Sequence, residues 1–175
     1  MFDVENYERQ YKKYYRPIYL YCLSHVGNAH MAEDVTQETF LGLYKFMQQN
    51  KVEDAQYLVY RIARNACIDV LRKNEKRNQI NKECLGLADE RLIDIANDIM
   101  EEQILSRLAV HKALFKLTPI EREIIFLRYV NDIPIRMIMD LCGISRFRLY
   151  KHLEHAKNSL YEILKKEGLF DDECV

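Results

Sequence analysis

With 175 residues and 49% apolar content, the chain is long enough to bury one core or two small ones without disulfide or metal staples. Apolar runs nowhere approach the roughly 20 residues that a bilayer demands, so neither a membrane span nor a signal peptide is expected, and a cytoplasmic location follows. The net charge of −1 is unevenly spread: residues 1–75 balance, 76–105 carry −3, 106–167 hold twelve basic against seven acidic side chains for +5, and 168–175 carry −3.

Strand signals are almost absent and helical periodicity runs nearly end to end, which predicts an all-α protein. The first helix is expected from about Asn6 to His25, with Tyr7, Tyr11, Tyr14 or Tyr15, Ile18 and Cys22 recurring at helical spacing; Gly27 and Asn28 end it. The tyrosines of this stretch are read as core, because helically spaced aromatics usually pack inward. A second helix is expected from about Met31 to Gln49 on Val35, Thr39, Phe40, Leu43, Tyr44 and Met47, with Glu33, Asp34, Gln37 and Glu38 on its polar face. Asp54 is placed to cap a third helix. At about 100° per residue that helix turns Leu58, Val59, Ile62, Ala63, Ala66 and Val70 to one side. Tyr57, Arg61, Arg64, Asn65 and Arg72 fall roughly opposite. Guanidinium forks match phosphate bidentately and a tyrosine ring can stack on an unpaired base, so this face suits a single strand drawn out of a duplex.

From about Asn74 to Asn97 the chain is polar and irregular and reads as a linker. Asp98 with Glu101 has capping-box spacing ahead of Ile104, Leu105, Leu108, Leu114 and Leu117. Thr118, Pro119 and Glu121 then supply a hydroxyl cap, a proline at the first helical position and a glutamate reaching back from the third. This helix is expected to run to about Tyr129. A short helix near Ile135 to Leu141, a turn at Gly143 and a long helix from Ser145 to about Glu167 have the layout of a helix-turn-helix. Leu149, Leu153, Ala156 and Leu160 form its buried stripe, leaving Phe147, Arg148, Lys151, Glu154 and His155 outward, with Arg146 and His152 flanking. Arg148 and Lys151 are best placed to reach guanine edges or phosphates in a major groove.

Five cysteines, scattered and without C-x-x-C pairing, are expected to be reduced, with Cys67 and Cys142 acting as small hydrophobes. The histidines lack metal-ligand spacing, His152 and His155 included, and neither a metal nor a cofactor is expected. No nucleophile and base pairing or glycine-rich phosphate loop appears, which counts against a helical-bundle enzyme.

In order, these stretches resemble the extracytoplasmic-function sigma factors of bacterial RNA polymerase. Ala32-Glu33-Asp34 followed by Gln37-Glu38 and Phe40, and then Tyr60-Arg61-Ile62-Ala63-Arg64-Asn65 with Asp69, Leu71 and Arg72, are similar to the family's region two. Leu117-Thr118-Pro119-Ile120-Glu121-Arg122-Glu123, Leu127-Arg128-Tyr129 and Gly143-Ile144-Ser145 are similar to its region four. The resemblance implies a region-two domain over 1–75, a linker over 76–97, a helix-turn-helix domain over 98–168 and a tail over 169–175. It further implies that Asp34, Gln37 and Glu38 dock on core polymerase. Tyr57, Arg61, Arg64, Asn65 and Arg72 would face the −10 element and hold an extruded base, and Arg146, Arg148, Lys151 and His155 would read the −35 element. Core RNA polymerase, promoter DNA and an anti-sigma factor are the implied partners, with no small-molecule substrate and no reaction catalysed.

The chain departs from the family's pattern in places. Tyr57 stands for a tryptophan, Pro134 for a capping serine or threonine, Phe147 and Arg148 for glycine and threonine, and His155 for arginine, so altered −35 preference is expected. The competing expectation is a helix-turn-helix regulator that needs no polymerase and uses its N-terminal bundle as a sensor or dimerisation surface. It leaves the Glu33 to Glu38 patch and the Tyr57 to Arg72 face without a role.

Overall fold

A computed structural model of the protein describes residues 3–78, 110, 113–166 and 168. The chain separates into two compact units, Met1–Asp89 and Glu90–Val175. No strand occurs among the described residues, and none of their helices is long and apolar enough to cross a membrane.

The first unit is built on α1 (Val4–Val26), α2 (Ala29–Gln49) and α3 (Ala55–Asn78), each packed on the other two. Every start is capped by a side chain: Asn6, Met31 and Tyr57 donate their backbone N–H groups to the Asp3, Asn28 and Asp54 side chains at 3.0, 3.0 and 2.9 Å. Such caps satisfy donors that a helix start leaves without a partner. Gly27, at φ 67°, closes α1 in the left-handed conformation that glycine adopts without penalty.

Pro17 lies inside α1 and withholds one ladder donor, a defect of about 3 kcal/mol in a helix interior. The helix persists because Tyr14, Ile18, Tyr21 and Cys22 around it are buried, and each large apolar side chain contributes on the order of 1.5–3 kcal/mol. The choice between Tyr14 and Tyr15 resolves in favour of Tyr14 as the core residue, with Tyr15 half-buried. Tyr11 and Tyr15 lean on Phe40 with centroids 4.7 and 5.9 Å away, and Tyr7 meets Tyr44 edge-on at 5.2 Å. The aromatic run is therefore a seam between α1 and α2.

Beneath it, Thr36 and Thr39 return their buried hydroxyls to the Ala32 and Val35 carbonyls at 2.6 and 2.7 Å, which removes the cost of placing them there. Cys22 and Cys67, on different helices, meet in the core. Their shared hydrogen bond, with a further one from Thr36 and against the effect of burial, holds the Cys22 thiol below its ordinary pKa. Neither is in a disulfide, nor is the half-buried Cys142; Cys84 and Cys174 lie outside the described residues. Where α2 meets α3, an added Cβ at Gly42 would come within 3.1 Å of Ile62 Cγ2, so glycine permits the close α2–α3 approach.

One boundary differs from the sequence reading. α3 continues to Asn78, beyond residue 74 where the polar stretch begins. Glu75, Lys76 and Arg77 are good helix formers without an apolar stripe, so hydrophobic periodicity cannot register them. The rest of the expected linker, and the Asp98–Glu101 capping box, fall outside the described residues.

In the second unit, α4 (Pro119–Ile125) passes directly into a π-helical turn over Phe126–Val130. The wider turn is sealed by Asn131 N–H donating to the Phe126 carbonyl, five residues back, at 3.0 Å. The expectation of one regular helix to Tyr129 is thus corrected in its last turn. α5 (Ile135–Cys142) follows, starting at Pro134 without a side-chain cap and ending at Gly143, φ 64°. That left-handed turn redirects the chain into α6 (Arg146–Lys166), whose Arg148 N–H donates to Ser145 Oγ at 3.4 Å. Leu149, Leu153, Ala156 and Leu164 are buried along α6, and Ile124, Leu127, Ile133 and Ile138 complete the core.

Candidate nucleic-acid interface

On α3 the buried side is Leu58, Val59, Ala63 and Cys67, together with Tyr60. Tyr60 is 1% exposed and meets Tyr21 edge-on at 5.6 Å; burial pushes its phenol well above the ordinary range. Although it adjoins Arg61 in sequence, it is core. On the opposite side Arg61, Asn65 and Arg72 are exposed, while Tyr57 and Arg64 are half-buried. The Arg61 guanidinium lies 5.7 Å from the centre of the Tyr57 ring, a cation–π contact. Ring and cation thus form one platform beside the Asp54 cap, with Asn65 about one turn beyond Arg61. Its chemistry is a flat apolar surface for a base, flanked by donors for phosphate.

Asp34, Gln37 and Glu38 on α2 are all exposed. Leu41 continues their stripe at helical spacing and is 52% exposed. The sequence reading missed Leu41, although the i, i+3, i+7 series through Asp34 and Gln37 carries the signal. The carboxylates of this stripe repel phosphate, so it is unsuited to nucleic acid.

In the second unit α6 displays the basic face. At about 100° per residue, Phe147, Arg148, Glu154 and His155 lie within about 60° of Lys151, and all are exposed. Arg146 stands apart: its guanidinium sits 5.6 Å from the Tyr150 ring centre, on the flank. That flank borders a cleft of about 440 Å³ lined by Arg128, Tyr129, Ile135, Tyr150, Leu153 and Lys157, among others.

His155 is tied down in a way no local pattern announces. Its Nδ1 lies 2.6 Å from Oε1 of Glu121, which is 6% exposed, and His152 Nδ1 is 3.9 Å from the same oxygen. The other Glu121 oxygen accepts from the Thr118 N–H and hydroxyl at 3.2 and 2.7 Å. Burial raises the Glu121 pKa, but the Thr118 hydrogen bonds and His155 together outweigh it and hold the carboxyl below its usual range. An ionised carboxylate only accepts, so His155 Nδ1 carries the proton and only Nε2 faces outward.

A carboxyl lowered by folding stabilises the unit above its unfolded pKa of about 4.3, and that contribution disappears as pH falls through the folded value. Glu121→Gln keeps an acceptor but removes the charge. It is expected to cost about 1 kcal/mol at neutral pH, a difference that shrinks as pH falls through the lowered pKa of the folded Glu121 and vanishes once that carboxyl is protonated and both side chains are neutral. Thermal unfolding of the full chain across pH checks this.

Among the described residues no group of three His, Cys, Asp or Glu side chains is arranged to hold a metal ion.

Residues 10–77 match the Sigma-70 region 2 family. Over 163 residues, 93% of this chain and 96% of the relative, the sequence is 24% identical to the ECF RNA polymerase sigma factor SigM of Bacillus subtilis. With SigW of the same organism it shares 24% over 155 residues, 85% of this chain and 83% of that one. The fold is similar to that of the sigma factor RpoE of Bartonella quintana, solved in complex with the anti-sigma factor NepR, at a TM-score of 0.74 and 18% identity, covering 93% of this chain and 98% of that one. The helical bundle with its basic α3 face, followed by a helix-turn-helix, is that of an RNA polymerase sigma factor. These similarities, over most of the chain, support an extracytoplasmic-function sigma factor.

Proposed function

We propose that this sigma factor divides promoter recognition between its two units. Asp34, Gln37 and Glu38, with Leu41 beside them, dock on core RNA polymerase. The Tyr57–Arg61 platform captures a base extruded from the −10 element, while Arg64, Asn65 and Arg72 hold the adjoining backbone. Arg148 and Lys151 read the −35 duplex from α6, His155 contributes its free Nε2, and Arg146 meets phosphate at the flank. The tyrosine and guanidinium pairing, 5.7 Å apart on an exposed helix face, is the observation that carries this reading. Stacking tolerates any base once it is unpaired, and a cation at the ring edge draws the backbone in.

We assign 1–75 to the first function and 98–168 to the second, with 169–175 as tail and 76–97 between them, a stretch into which α3 runs as far as Asn78. This reading places the protein in the cytoplasm, where polymerase and promoter are. An anti-sigma factor is the natural restraint on such a subunit, as the complex of the Bartonella relative illustrates. The protein is assigned no catalysed reaction. A polymerase-independent regulator is disfavoured because it gives the platform on α3 nothing to bind.

Arg148→Ala combined with Lys151→Ala tests the upstream half. Each side chain reaching a base edge or phosphate is worth about 1–3 kcal/mol, so holoenzyme affinity for duplex upstream DNA should fall by at least about tenfold, with a shallower salt dependence. Unchanged binding in a competition assay overturns this assignment.

A further inference from the structure

The basic face of α6 contains one side chain that phosphate recognition does not explain. Phe147 is 79% exposed, whereas no other large hydrophobic among the described residues exceeds 54%. It is the second residue of α6. Arg146 and Arg148, both exposed, adjoin it in sequence, and at about 100° per residue it lies about 40° from Lys151 and one turn ahead of it. The buried stripe of α6 is on the other side, so the ring has no core to enter.

We infer that Phe147 is a base-reading residue that packs against the C5-methyl group of a thymine in the −35 duplex. The inference rests on the proposal that α6 enters the major groove there. Three arguments select this ligand. The cationic setting favours a polyanion over an apolar protein surface. Residues in the first turn of a recognition helix are those that approach base edges. Within the major groove, the thymine methyl is the apolar feature of the base edges, and phenylalanine is among the side chains that contact it. A free phosphate or a sugar–phosphate backbone offers the ring nothing comparable.

The test uses holoenzyme assembled from core polymerase and the full chain. An upstream duplex is selected from a randomised library, and each thymine is then replaced singly by deoxyuridine, which lacks only the methyl. At one position the wild type should lose affinity by about fourfold, the scale of one buried methyl group. Phe147→Ala should be weaker on the thymine duplex by a similar factor and show no further loss on the deoxyuridine duplex.

If no deoxyuridine duplex binds the wild type more weakly, or if Phe147→Ala keeps the full methyl preference, the inference is overturned. The second result includes the case in which the ring serves a protein partner. The Arg148→Ala, Lys151→Ala pair, run alongside, separates the two levels. Loss of binding there with no methyl effect rejects only the role of Phe147, whereas no loss rejects groove binding by α6 as well. Because the ring is exposed, its removal leaves the core intact, and the deoxyuridine series on the wild type requires no variant.

Discussion

Replacing Asp34, Gln37 and Glu38 together by alanine is expected to abolish promoter-dependent RNA synthesis while leaving the helical content of the free protein unchanged. The structural half of this expectation follows from position. All three side chains are exposed on α2, whose packing is done by Ala32, Val35, Thr36, Thr39, Phe40 and Leu43 on its other side. Alanine also has the highest helix propensity. The functional half follows from the energetics of charged contacts that lose water on docking. Truncating one partner of such a pair costs about 2–5 kcal/mol, because the group opposite is left buried and unpaired. Two such losses, at Asp34 and Glu38, together with the hydrogen bonds of the neutral Gln37, should lower affinity for core polymerase by more than about a hundredfold. Fluorescence anisotropy of the labelled full chain titrated with core enzyme reads this directly. Wild-type affinity in the triple variant would remove the polymerase-docking role from α2.

A second large effect is expected at the platform on α3. Tyr57→Ala should slow open-complex formation by about ten- to a hundredfold, since stacking of one base on an aromatic ring is worth about 1–3 kcal/mol. Tyr57→Phe, which keeps the ring, should remain near the wild type. Arg61→Ala should reduce opening as well, because it removes the cation that the Tyr57 ring orients. A fluorescent base analogue in the nontemplate strand reports the kinetics. An abasic nucleotide at the captured position should reproduce the Tyr57→Ala defect in the wild-type protein and erase the difference between the two proteins. If the alanine variant and the abasic template give additive defects, ring and base do not touch and the platform acts on something else.

Much of this arrangement could be read from residue order because it is written in local chemistry. The caps at Asp54 and Thr118, the turn at Gly143 and the stripe of Leu149, Leu153 and Ala156 each depend on residues within a turn or two of one another, where periodicity and hydrogen-bonding grammar operate. The separation of Tyr57 and Arg61 from Leu58 and Val59 has the same origin. What escaped is of another kind. Glu121 and His155 are 34 positions apart, and only the packing of α4 on α6 brings them together. The meeting of Cys22 with Cys67 likewise needs α1 against α3. The π-helical turn at Phe126–Val130 carries no compositional mark, since one extra residue in a turn alters hydrogen bonding without altering residue type. Tyr60 was legible as a neighbour of the platform but not as core, because its burial depends on Tyr21 from α1. Leu41 shows the reverse: its spacing placed it in line with the polar face, but an apolar residue there is recognised as part of that face only by its exposure.

Transcription in vitro with core polymerase, the full chain and a randomised promoter library tests the central claim most directly. The account predicts RNA chains that start at a fixed distance from two enriched elements, an upstream one lost with Arg148→Ala and Lys151→Ala and a downstream one lost with Tyr57→Ala. Absence of any enriched start site, with the protein still binding duplex DNA unaided, would contradict it.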